Sequence, residues 1–92
     1  MATTVKTLVN LANELHAAYT AITEFDLETE ELKVSRPATF NRREREYQRS
    51  VLDKAVDKTT DRLATAIDKA TPDRLKEAEK AMGDNVYVFD GF

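Results

Sequence analysis

The sequence predicts a mainly α fold over residues 1–92 as a single domain. In it a three-helix antiparallel core with one long central helix carries a minimal two-stranded β ribbon. Three observations predict it. Apolar residues recur three and four apart over two long stretches, Thr71-Pro72-Asp73 opens a third, and two short β-rich runs lie outside all three. With 92 residues, two Gly, two Pro and no Cys, the chain holds one core and little linker. Disulfides, thiolate metal sites and cysteine nucleophiles are excluded.

The first helix is expected from about Val5 to about Glu24. Val5, Leu8, Ala12, Leu15, Tyr19 and Ile22 share one face, widened by Leu11, Ala18 and Phe25. Thr3 or Thr4 is the candidate N-cap. From Phe25 to Asn41 the chain reads as an acidic connector carrying Asp26, Glu28, Glu30 and Glu31. Within it Leu32-Lys33-Val34 alternates as a short strand does, and Arg36-Pro37 ends that segment because proline lacks a donor and restricts its predecessor.

The second helix is expected to dominate. Asn41 with Glu44 has the spacing of a capping box. Tyr47, Val51, Leu52, Val56, Thr59, Leu63 and Ala66 continue the apolar stripe toward Ala70, over a helix of about 40 Å. Thr71 then caps a third helix with Pro72 in its first position, Leu75, Ala78 and Met82 inward, and Gly83 as its stop. Asn85 to Phe89 is β-branched and aromatic, and is expected as a strand paired with Leu32–Val34.

Charge and motif content narrow the function classes. Fourteen basic residues against seventeen acidic ones give a net charge of -3. That balance fits neither a uniformly acidic nucleic-acid mimic nor a strongly basic binder. No signal-like N-terminus and no bilayer-length apolar run is found, so a cytoplasmic location without a membrane partner is expected. Catalytic equipment is sparse. His16 is the single histidine, with Ala12 and Thr20 four residues away on either side, and no Gly-rich phosphate loop is present. The chain is expected to be no enzyme and to use no cofactor or metal. Asp53, Asp57 and Asp61, each followed by a base, read as a solvated helix face.

One cluster resists that bland account: Arg36, Arg42, Arg43, Arg45 and Arg49. Arg42, Arg45 and Arg49 share a helical face, expected to point into water, away from Tyr47 and Val51. Cations in the first turn of a helix oppose its dipole, so something must offset their placement. Two readings stand side by side. The arginines pair with the chain's own carboxylates (Glu46, Asp53 and the acidic connector), or they form a docking patch for phosphate backbone or an acidic protein surface. The C-terminal segment, with Tyr87 and Phe89 on one side of the expected strand, is the second candidate surface.

Together these features make a non-enzymatic binding module the expected function. It would be a small accessory or inhibitor protein, by analogy with phage-encoded factors that act on host machinery, docking on a larger protein or protein–RNA complex. Two alternatives are a structural protein forming a helical homo-oligomer and a weak, sequence-indifferent nucleic-acid binder.

Overall fold

The computed structural model describes residues 2–92. Helix α1 spans Val5–Ser35, α2 spans Arg42–Asp68 and α3 spans Pro72–Met82, followed by a seven-residue 3-10 helix, η1, at Gly83–Phe89. Each α-helix starts at a side-chain cap. Thr4 accepts from the Thr7 N–H, Asn41 from the Glu44 N–H and Thr71 from the Arg74 N–H, at 3.1–3.3 Å. Gly83 ends α3 with φ at +57°, a region that L side chains disfavour.

The expected two-stranded ribbon does not exist among the described residues. Leu32, Lys33 and Val34 form the last turns of α1, which runs 31 residues. Its apolar rhythm never breaks, because Ala18, Ile22, Phe25, Thr29 and Leu32 continue the three-and-four spacing of Leu11 and Leu15. The carboxylates between them sit on the flanks and outside of the helix and only obscure that rhythm. Val86 to Phe89, left without a strand to pair with, satisfies its backbone locally. Val88 and Phe89 are both buried while Val86 and Tyr87 are exposed, a pairing of neighbours that an alternating strand cannot give. The single long central helix is likewise corrected: two long antiparallel helices, of 31 and 27 residues, form the frame.

Burial divides the molecule into a base and an arm. All ten buried apolar residues lie in the base: Leu8, Leu11, Ala12 and Leu15 of α1, Leu63 and Ala66 of α2, Ala78 and Met82 of α3, and Val88 and Phe89 of η1. The N-terminal residues lace this end shut. Thr3 donates through its N–H to Lys69 O (3.1 Å) and through its hydroxyl to Ala66 O (2.7 Å). From His16 to Arg62 no side chain is fully buried. There α1 and α2 project as a bare two-helix hairpin, giving extents of 54 × 22 × 19 Å. The radius of gyration is 16.6 Å, against about 12 Å for a compact domain of this length. No described helix is long and apolar enough to cross a membrane.

Candidate interaction site on the helical arm

The arm is a short antiparallel coiled coil. Ala18, Ile22, Phe25, Thr29 and Leu32 of α1 face Arg45, Arg49, Leu52, Val56 and Thr59 of α2, with alternating steps of three and four on both helices. Two of the five α2 seam positions are therefore arginines. This reverses the expected orientation: Arg45 and Arg49 turn toward α1, whereas Tyr47 and Val51 point outward, 70% and 49% exposed. The base sets the phase. Counting back from Leu63 in steps of four and three reaches Thr59, Val56, Leu52, Arg49 and Arg45, and leaves Tyr47 on the far side of the helix.

Each seam arginine has an acidic partner from α1, and Arg45 an aromatic one as well. Arg45, only 16% exposed, donates to Glu28 Oε1 at 2.7 Å, and its guanidinium carbon lies 4.7 Å from the Phe25 ring centroid. That combines a charge-assisted hydrogen bond with cation–π stacking. Arg49 Nη1 is 3.3 Å from Asp26 Oδ1, and its Nε lies 3.5 Å from Asp53 Oδ1. The latter contact is ionic only, since Nε is buried without a hydrogen-bond partner. Beside these groups a groove of about 680 Å³ has Phe25, Thr29 and Phe40 along it, with Asp26, Lys33, Arg42 and Asp53 among its charged lining. Asp26 and Glu28 thus reach the arginines, from within a helix rather than from a connector.

The five arginines therefore divide. Arg36, Arg42 and Arg43 remain around the α1–α2 turn, all exposed. Arg42 meets Glu46 at 2.9 Å, with the two side chains 83% and 63% exposed; a pair so open to water holds little energy. Arg36 and Arg43 make no ion pair among the described residues. Between Glu31 and Glu44 the chain carries Lys33, Arg36, Arg42 and Arg43 and no carboxylate. The turn itself therefore carries cations only, bounded by Glu31 and Glu44.

The aromatic candidates lie elsewhere. Tyr87 is 43% exposed, its hydroxyl 2.8 Å from His16 Nδ1 and its ring tilted against Tyr19. Phe89 is 8% exposed and belongs to the core. Arg36, just past the end of α1, is twenty residues from His16, about 30 Å along the helix, so the tip arginines and Tyr87 do not share a surface. The sequence reading also missed the outward residues Leu27 and Val34, 64% and 84% exposed. Continuing the helical period past Glu24 would have found them. No group of three or more metal-ligating side chains is gathered among the described residues. Comparison with protein-family models, curated proteins and solved structures gives no match to this chain.

Proposed function

We propose that this protein is a non-enzymatic binding module whose projecting arm docks, tip first, on an acidic or phosphate-bearing surface of a larger protein or protein–RNA complex. The observation that carries this reading is the run of four cations, with no acid between Glu31 and Glu44 in sequence, at the end of the two-helix hairpin. Arg36, Arg42 and Arg43 stand in water there, while Arg45 and Arg49 are held in the seam. The guanidiniums of Arg36 and Arg43, without ionic partners among the described residues, and of Arg42, held only by an open pair with Glu46, suit carboxylate and phosphate oxygens. Three or four cations bring only a modest counter-ion release on free nucleic acid, which favours a partner with shaped surface around its charge. In this role the base is a foundation that holds the arm out from its own bulk, as in an accessory or inhibitory factor.

The test is a double substitution at the tip, Arg36→Glu with Arg42→Glu, leaving both seam arginines untouched. Partners retained on the wild-type protein from its native cell background should be lost by the variant, with helicity by circular dichroism unchanged. Retention of the same partners would rule out the tip. Salt-sensitive binding of a short single-stranded RNA by the isolated wild-type protein, lost in the variant, would instead favour the nucleic-acid alternative.

A further inference from the structure

The sides of the arm present a second, independent pattern. The outward face of α1 beyond the base carries Leu27 and Val34, one double turn apart, flanked by Glu24, Glu30 and Glu31 with no base on that face. On the outward face of α2, Tyr47 and Val51 are flanked by Arg43, Lys54 and Lys58, with Glu44 at its edge near the tip and Asp61 nearer the base. Glu30 pairs with Lys33 at 3.2 Å. Glu24, Glu31, Arg43, Lys54 and Lys58 have no ionic partner among the described residues. The seam arginines are paired across to α1, whereas these five outer-face charges have no such partner, acids on α1 and, in net balance, bases on α2.

We infer that the occupant of each outer face is a second copy of this chain, the acidic face of α1 on one molecule packing against the basic face of α2 on the next. The two faces complement each other in sign and in their apolar centres. The Glu28–Arg45 pair puts Leu27 and Tyr47 at one height on the arm. Arms set side by side at equal height therefore bring Leu27 against the neighbour's Tyr47, with Glu31 beside its Arg43 and Glu24 within side-chain reach of its Lys54. On α1 the contact begins where η1 ends, near Tyr19, whose ring leans on Tyr87, so the neighbour continues the cover that η1 provides lower down. The faces differ, so the contact is heterologous and generates a ring or an open row. This inference goes beyond the docking reading: of the tip arginines only Arg43 takes part in it, and Arg36 and Arg42 remain outward in the assembly.

Charge reversal tests it. One variant carries Glu24→Lys and Glu31→Lys, the other Arg43→Glu and Lys54→Glu, and light scattering reads mass across a concentration series. The wild type should exceed one chain's mass, and each variant alone should stay at it, because both its faces then carry the same sign. An equimolar mixture of the two variants should assemble again, since each supplies the face the other lacks. A wild type of single-chain mass throughout, variants that assemble alone, or a mixture that fails to assemble would each overturn the inference. Circular dichroism on each variant separates lost assembly from lost folding. The tip substitutions leave this readout unchanged, so the two proposals fail separately.

Discussion

The base and the arm are made from the same two helices, yet they are held by different physics. In the base, Leu8, Leu15 and Leu63 are fully buried and α3 and η1 close the third side. In the arm the same helices have only each other, and a two-helix seam shields no residue fully. Its α2 side opens with two arginines, which bring hydrogen-bonding donors where the base has leucine. The lesson is that one continuous helical period supports two regimes. Apolar burial holds the end that has a third layer, and a mixed apolar and ionic seam holds the end that has none.

The largest expected effect comes from cutting the base. Leu63→Ala removes a fully buried side chain and should cost about 3 kcal/mol by urea denaturation, the usual range for such truncations being about 2–5 kcal/mol. Leu52→Ala, the half-buried equivalent in the arm, should cost about 1 kcal/mol, because less apolar area leaves the protein interior. Equal costs at the two positions would mean that the arm is as tightly closed as the base, and the division would fall.

Most of the helical frame was legible in the sequence. Thr4, Asn41, Thr71 and Gly83 mark helix ends by local chemistry that no tertiary contact needs to reinforce. What was not legible depended on phase and on partners. The end of α1 was hidden because Asp26, Glu28, Glu30 and Glu31 resemble a loop by composition, although Phe25, Thr29 and Leu32 keep the helical spacing. Tyr47 and Val51 extend an apolar stripe by eye, but only the position of Leu63 in the base decides which way they turn. Val86–Phe89 has strand composition, and strand composition without a second strand does not make a sheet. The arginine cluster could be found but not divided, because the difference between Arg45 and Arg43 is which side of α2 meets α1.

The next effect probes the ionic half of the comparison. Arg45→Glu places a carboxylate against Glu28 and removes the stacking on Phe25, and should cost on the order of 1–2 kcal/mol after solvent screening. Arg45→Leu should lie within about 1 kcal/mol of wild type, since an apolar residue suits the sheltered seam position and Glu28, already largely in water, is left at little cost. A large loss with leucine would show that the seam depends on this arginine more than on shape.

A smaller effect tests how the base receives its lid. A Cβ on Gly83 would meet nothing within 4 Å, so Gly83→Ala isolates the conformational term. With φ at +57° and ψ at -124°, outside the left-handed region open to L residues, it should cost about 1 kcal/mol or somewhat more and loosen η1. The His16–Tyr87 contact at the top of the base should then weaken, which the Tyr87 ring resonances report.

The smallest expected effect is at the tip, and its smallness is informative. Arg42 and Glu46 are both largely in water, and Arg36 lies beyond the last turn of α1 with no ionic partner among the described residues. Removing them, Arg36→Ala with Arg42→Ala, should leave the urea midpoint unchanged within error, because exposed pairs at this spacing contribute little. Arg42 at the start of α2 opposes that helix's dipole, while Arg36 at the C-terminal end of α1 is favoured by the dipole of α1, so the two small terms offset. Arg42, which folding does not need and the α2 dipole disfavours, calls for another reason to be there. A clear loss of stability would return these arginines to the structural role that Arg45 and Arg49 already fill, and the tip would lose its claim as a docking surface.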